Sequence, residues 1–284
     1  LIWPLNGEAR TIVPLRPPND GDGNRQRPIA LVGTTIVVGN NQSFYQLEDD
    51  ALRPLLRVEN IHPPSRAIRS LKSWGDNQFI ATTTAGEIYV LSLVGDRLTG
   101  QLFAAPCTND ETLTDAVVLS FGEDVFIQGE RQIEVPSQDI IVAGCGDSDD
   151  SDNRHIPGRV WHAVIPDAVD GQVGETPLLW EMLSSSLGPG FPKLAVGDVN
   201  RDGSPDLVVT TDSEDVCRGH ARVFFSDRPR RTVTFSASAA RTVGPRPQSV
   251  IVEGNADVVV VNYGHEDLAG CGAQPSVDTF SHNS

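Results

Sequence analysis

Lysine is nearly absent from this chain of 284 residues, in which Lys72 and Lys193 are the two that occur. Lysine and arginine together number 22 against 38 aspartates and glutamates, which gives a formal net charge of −16 at pH 7. Because binding to phosphate groups needs clustered basic side chains, this composition argues against a nucleic-acid or anionic-membrane surface. It favours cations and basic partners instead.

Long apolar runs are also absent. No stretch of about eighteen apolar residues occurs, so the sequence predicts no membrane-spanning helix. It contains no Gly-x-Ser-x-Gly turn, no His-Glu-x-x-His helix and no phosphate-binding glycine loop, which leaves catalysis without a motif. No signal-peptide pattern is visible at the start of the sequence, which opens with residues 1–4, Leu-Ile-Trp-Pro, so we expect a mature or trimmed chain. Hydrophobic residues make up 39% of it, and we expect one domain over residues 1–284.

The most informative segment is residues 198–206, Asp-Val-Asn-Arg-Asp-Gly-Ser-Pro-Asp. Oxygen-bearing side chains occupy its first, third, fifth and ninth positions, a glycine lies where the backbone must turn, and a serine carbonyl is the expected backbone ligand: Asp198, Asn200, Asp202, Asp206, Gly203 and Ser204. This spacing suits Ca²⁺, which takes about six to eight oxygen ligands. An EF-hand would need Glu where Val209 stands. The alternative is an ordinary Asp-Gly-rich hairpin turn.

Apolar strands are predicted on both sides of this loop. The segment from Leu194 to Val209 resembles one blade of an FG-GAP/VCBS-type β-propeller, the class that includes integrin α-subunit heads and many bacterial surface proteins. The resemblance is specific over about one blade. It implies a calcium-stabilised propeller with one Ca²⁺ in a structural role, and it implies adhesion, lectin-like recognition or assembly as the function.

Short apolar segments recur at about the spacing of blades, and we predict them to be second strands: residues 35–39, 78–82, 139–143, 206–210 and 257–261. Alternating segments follow four of them as predicted third strands: residues 43–47, 87–91, 159–164 and 221–225. Continuous apolar runs suit strands that are buried on both faces, whereas alternation suits outer strands. We therefore predict an all-β, five-bladed propeller of four-stranded antiparallel blades. The approximate blades are 28–62, 66–105, 112–184, 190–238 and 245–284 plus 1–16.

The fifth repeat is predicted to stop without its third strand. Residues 2–12 resemble residues 223–233, the outer hairpin of the fourth repeat. We expect this N-terminal hairpin to complete the C-terminal blade and thereby remove the exposed edges of the ring. The alternative is an open fragment of a longer, six- or seven-bladed propeller.

The four cysteines lie in loop contexts and show no Cys-x-x-Cys spacing of a zinc site. We predict two disulfides, Cys107–Cys145 and Cys217–Cys271, because each would join successive repeats, although four cysteines allow three connectivities. Disulfides and calcium together indicate an oxidising compartment, so we expect a secreted, periplasmic or cell-surface protein. Asn41-Gln42-Ser43 matches the glycosylation sequon, which matters only in a eukaryotic secretory route.

A second acidic run, residues 146–153, falls in the predicted connection between the second and third strands of the third blade. It is either a solvated loop or a second cation site on a propeller face. The histidines are scattered, and we interpret them, His162 included, as surface or turn residues.

Two classes of function remain open. The first is a non-enzymatic binding, adhesion or assembly module for a protein or glycan partner, as a free monomer or a unit of a larger extracellular assembly. The second is a glycosidase or polysaccharide lyase with paired acids in the central funnel, for which five acids are candidates: Asp76, Asp115, Glu123, Asp139 and Asp257. Aromatics near loop tips would favour sugar stacking without hydrolysis, or else pack between blades: Trp74, Trp161, Trp180 and Tyr263.

Overall fold

The computed structural model describes part of the chain. The described residues are 28–40, 43–48, 51–57, 64, 67–108, 111–128, 131–135, 137–147, 157–166, 175–176, 178–185, 187–188, 190–212, 218–227, 233–244, 247–253, 257–262 and 276–281. They contain strands and connections and no α-helix. Among them, no helix has the length and apolar composition that a bilayer span requires.

Five antiparallel sheets follow one another along the chain as the blades of a propeller. The first blade has four strands: β1 Ile29–Val32, β2 Thr35–Asn40, β3 Ser43–Glu48 and β4 Ala51–Pro54. A short strand follows it, β5 Leu56–Arg57. The second blade comprises β6 Ile68–Trp74, β7 Gln78–Thr83, β8 Glu87–Val94 and β9 Arg97–Ala104. Strand β5 pairs in parallel with β9.

The third blade contains an insertion. Between its first and second strands lies a separate hairpin, so that the elements run β10 Glu111–Phe121, β11 Asp124–Gln128, β12 Arg131–Val135, β13 Gln138–Asp147, β14 Arg159–Val164, β15 Glu175–Thr176 and β16 Glu181–Ser184. The blade itself is β10, β13, β14 and β16, while β11 pairs with β12 and β15 joins the second blade through β9. This hairpin was not among the strands predicted from the sequence.

The fourth blade is built from β17 Lys193–Gly197, β18 Asp206–Asp212, β19 Gly219–Asp227 and β20 Thr234–Ala237, with β21 Arg241–Val243 also paired to β19. The fifth contains β22 Pro247–Val252, β23 Val258–Asn262 and β24 Ser276–Phe280. The prediction that this blade stops without a third strand is wrong, because β24 pairs with β23 along its whole length. The predicted N-terminal hairpin, residues 1–16, lies outside the described residues.

The hydrophobic core lies between neighbouring blades. The segments predicted as second strands correspond to β2, β7, β13, β18 and β23, and most of their apolar residues are buried, as in Val208 and Ile141, which are both 0% exposed. The first strands lie innermost, with β6 beside β1 and β10, and β17 beside β10 and β22. Residues from all five first strands line one central cavity of about 400 Å³.

Candidate functional site

The predicted calcium loop joins the first and second strands of the fourth blade. It begins after β17 and ends at Asp206, the first residue of β18. Its sharp turn requires two residues with left-handed backbone, Arg201 with φ 63° and Gly203 with φ 89°. The flanking strands β17 and β18 pair with each other, and Gly197 lies opposite Asp206 in that pairing. The two ends of the loop are therefore held next to each other. The strand, loop and strand order predicted from the sequence is therefore confirmed.

Backbone N–H groups of the loop point at its own side-chain oxygens. Asp198 accepts hydrogen bonds from the amides of Asp202, at 3.0 Å, and Gly203, at 2.9 Å. Asn200 Oδ1 accepts a second bond from the Asp202 amide at 3.0 Å, and Asp202 Oδ1 accepts one from the Ser204 amide at 2.8 Å. Such local bonds stabilise a tight turn. They also hold the side-chain oxygens of positions one, three and five against the backbone amides of the loop.

Asp206 is the buried member of the set, with 0% of its surface exposed. Its Oδ2 accepts the amide of Val199 at 2.9 Å and that of Asn200 at 3.3 Å, and its Oδ1 accepts the amide of Ser226 at 3.0 Å. Burial raises the pKa of Asp206, and the backbone hydrogen bonds oppose that shift. Asp206 therefore ties the loop to β19 of the same blade.

The donor set fits a calcium ion chemically. An ionised carboxylate offers about four lone-pair sites. Hydrogen bonds among the described residues use two of them on Asp198, two on Asp202 and three on Asp206. On this count, taken over the described residues, each carboxylate has a lone-pair site left for a hard cation. Among the described residues, no three acidic, histidine or cysteine side chains form a group that could hold a metal ion. The assignment of Ca²⁺ to Asp198, Asn200, Asp202, Ser204 and Asp206 stays a prediction.

One of the two predicted disulfides lies within the described residues. Cys107 follows the last strand of the second blade and is bonded to Cys145 in the second strand of the third, with the Cα atoms 5.5 Å apart. This bond joins successive blades, as the sequence analysis predicted. Cys217 and Cys271 lie outside the described residues, as do most of the acidic run 146–153, the sequon residue Asn41, and Tyr263.

The acids proposed for a catalytic funnel do not meet in the central cavity. Its lining contains no Asp or Glu among the described residues. Asp115 is 2% exposed and paired with the ammonium of Lys72 at 2.6 Å. Asp76 and Glu123 are exposed at strand ends, and Asp139 and Asp257 are partly buried at the starts of second strands.

Two of the tryptophans join neighbouring blades. Trp74 in the second blade donates its indole N–H to Ser120 Oγ in the third, and Trp180 in the third donates to the Ala104 carbonyl in the second at 3.2 Å. Packing between blades was one of the two roles considered for them. His162, which was interpreted as a surface or turn residue, is partly exposed: its side chain is 18% exposed and its ring lies 5.5 Å from that of Phe235 in the fourth blade. The alternating sequence pattern of β14 does not indicate this contact with another blade.

The described residues thus define an all-β propeller of five blades with one acidic loop at a strand connection. Residues 192–223, which contain that loop and the strands on either side, match the family model of the FG-GAP repeat. No curated protein shows significant similarity to the chain. The matched repeat and the five-blade architecture fit the FG-GAP β-propeller family.

Proposed function

We propose that this protein is a calcium-stabilised binding, adhesion or assembly module of an oxidising compartment, either secreted, periplasmic or on the cell surface. The observation that carries the proposal is the loop Asp198–Asp206, whose side-chain oxygens are oriented by its own backbone and retain free lone pairs. The FG-GAP repeat match and the propeller fold support a role as a binding or assembly module. The Cys107–Cys145 bond supports the compartment, because disulfides persist where the environment is oxidising.

In this proposal the ion has a structural role. Asp198, Asn200, Asp202 and Asp206 would hold it with the Ser204 carbonyl, and the ion would neutralise three carboxylates that otherwise repel one another in one turn. A ligand that binds the folded state alone stabilises it by about 2.7 kcal/mol at a hundredfold excess over its dissociation constant. The rigid blade would then present loops to a protein or a glycan.

The ion is tested by thermal unfolding of the full chain in millimolar CaCl₂ and in excess chelator. We expect Ca²⁺ to raise the melting temperature of the native sequence, and Asp198→Asn or Asp202→Asn to abolish most of that rise. The matched control is Asp76→Asn, because Asp76 is an exposed acid in the corresponding turn of the second blade. Equal melting temperatures with and without Ca²⁺ in the native sequence would reject the metal site.

The partner is tested separately with a glycan array and with a pull-down from extracellular protein extract, each run in CaCl₂ and in chelator. Calcium-dependent glycan binding that Asp202→Asn weakens would identify a lectin-like module. Binding of a protein partner with an empty array would identify an assembly module. Silence in both assays would contradict the proposed role while leaving the melting result on the ion unaffected.

A further inference from the structure

Apolar packing joins four pairs of neighbouring blades among the described residues. One cluster of buried side chains lies between the first and second blades, one between the second and third, one between the third and fourth, and one between the fourth and fifth. The second, third and fourth blades therefore have both faces covered by a neighbour. The first and fifth blades each have one face covered in this way, and none of these clusters joins the two.

The other face of the first blade is visible in the alternation of β1. Ala30 and Val32 are 7% and 1% exposed within the cluster shared with the second blade, whereas Ile29 and Leu31, which alternate with them, are 46% and 55% exposed. Successive residues of a strand point to opposite faces of the sheet. Ile29 and Leu31 therefore belong to the face directed away from the second blade, which we call the free face of the first blade.

The fifth blade has a corresponding surface. In β23, Val258 and Val260 are 0% exposed against the fourth blade, while Val261 is 41% exposed. Val261 lies opposite Val277 of β24, which is 63% exposed, and Ile251 of β22 pairs two residues before Val261 and is 50% exposed. Cross-strand neighbours of this kind share one face of a sheet. We call the surface that carries Ile251, Val261 and Val277 the free face of the fifth blade.

Charged side chains are absent from these strands on both free faces, although the chain has a net charge of −16. Strands β1, β2, β22 and β23 contain no charged residue. The one acid of β24, Asp278, lies on the opposite face from Val277, where its Oδ2 accepts the amide of Gly244 at 2.7 Å. Depletion of charge is typical of the buried centre of an interface between proteins.

We propose that the free face of the first blade in one copy of the chain packs on the free face of the fifth blade in a second copy, so that copies associate head to tail. The four packed junctions show what such a face binds, namely the apolar face of another blade. Because the two free faces differ, the contact is heterologous, and its repetition builds a ring of copies or an open filament. The inference rests on the assembly role proposed above and names a second copy as the partner.

Sedimentation equilibrium of the full chain, in millimolar CaCl₂ and over a series of protein concentrations, tests the association. We expect the average mass to rise with concentration, and to rise further at higher ionic strength, because salt screens the repulsion between copies of net charge −16. A monomer at every concentration and ionic strength would overturn the proposal, since the free faces would then be covered within one chain or by a different protein. That result would leave the melting and partner assays of the proposed function unaffected.

Variants test the two faces separately. Leu31→Glu and Val277→Glu each place a carboxylate on one free face, and each should raise the dissociation constant of self-association by about tenfold or more, since an unpaired charge is costly to bury. Mixed together, the two variants retain one native face each and should form a one-to-one dimer that grows no further. The matched control is Val94→Glu, which should assemble as the native chain does, since Val94 is 68% exposed in the second blade and belongs to neither free face.

Circular dichroism checks that each variant is folded. A face variant that assembles as the native chain does would remove its face from the contact, and a mixture that stays monomeric would show that the two free faces do not bind each other. Either result would overturn head-to-tail association. An equal loss in Val94→Glu would assign the effect to added charge at any exposed position, and it would overturn the proposal as well.

Discussion

The junctions among the second, third and fourth blades differ from the side of the ring where the first and fifth blades lie. In the former, polar and covalent contacts cross from blade to blade. They are the Cys107–Cys145 disulfide, the hydrogen bond of Thr114 Oγ1 to the Pro192 carbonyl at 2.8 Å, and the contacts that we call the Lys72 bridge, in which the Lys72 ammonium donates to Asp115 Oδ2 and to the Leu194 carbonyl. In the latter, the first strands β1 and β22 bring half-exposed aliphatic side chains to the cavity.

Close backbone approach adds to this difference. Pro192, at the entry to the fourth blade, fits against two glycines of the third, because a Cβ atom would come within 3.0 Å of its ring at Gly144 and 2.8 Å at Gly158. A Cβ atom at Gly158 would therefore require a shift of the structure, and one at Gly144 would require the proline ring to move by a few tenths of an ångström. The free energy needed to unfold one part of a protein locally depends on how well that part is packed. From the contacts of the described residues, we infer that the ring is held most firmly from the second to the fourth blade, and we expect it to open most readily on the side of the first and fifth blades.

The largest expected effect comes from removing the covalent link. We expect Cys107→Ala combined with Cys145→Ala to lower the free energy of unfolding by about 4 kcal/mol, since the bond closes a loop with a sequence separation of 38 and chain entropy scales with that length. Alanine is the replacement because Cys145 is fully buried. Urea denaturation measures the change. A loss below about 1 kcal/mol would mean that the blades are held together without this bond.

Breaking the Lys72 bridge comes next. Lys72→Met leaves the buried Asp115 carboxylate without its cation, and removal of one partner from a buried pair costs about 3–5 kcal/mol. We expect about 3 kcal/mol, because Lys72 is 27% exposed and Asp115 keeps two backbone donors. The double variant Lys72→Met with Asp115→Asn removes both charges and keeps an acceptor for Leu194 N–H. It should recover much of the loss in urea denaturation, and failure to do so would assign the loss to packing.

The two sides can also be compared with one kind of substitution. Leu194→Ala and Ile251→Ala both shorten an aliphatic side chain on a first strand that lines the cavity, but Leu194 is 0% exposed and Ile251 is 50% exposed. We expect a loss of about 3 kcal/mol for Leu194→Ala and about 1 kcal/mol for Ile251→Ala. Hydrogen exchange should likewise be faster in β1 and β22 than in β10. Equal losses in the two variants would contradict the difference between the junctions.

Much of this architecture follows from short-range pattern. The apolar runs of β2, β7, β13, β18 and β23 and the alternation of the strands after them predict the blades, because each pattern reflects burial on one or both faces of a sheet. The spacing of the oxygen-bearing residues and the glycine in residues 198–206 predicts their loop, because all of them lie within nine consecutive residues. Strand β24, Ser-Val-Asp-Thr-Phe, was missed because its residues are exposed or partly exposed and its apolar signal is correspondingly weak.

The contacts between blades could not be predicted in the same way. Lys72 and Asp115 are 43 residues apart, and Asp115 and Leu194 are 79 apart, so no spacing rule connects them. Their meeting depends on the ring bringing first strands of different blades to one axis. From the sequence, acidic residues were candidates for the central funnel. Which residues line the cavity depends instead on which side chains of each first strand face the axis of the ring. The register shift between Leu113 and Asp115 in β10 is one such detail that sequence does not show.

The smallest expected effect is a dependence on pH at the junction of the third and fourth blades. Burial lowers the pKa of His162, while the nearby Glu181 carboxylate, 3.9 Å away, opposes the shift. A histidine whose pKa is depressed in the folded state stabilises the fold above its unfolded pKa of about 6.5 and loses that contribution as pH falls through the folded value. Melting temperature should therefore decline more steeply below pH 6.5 in the native chain than in His162→Phe, which keeps a ring against Phe235. Identical pH profiles for the two proteins would show that the His162 contact does not weaken on protonation.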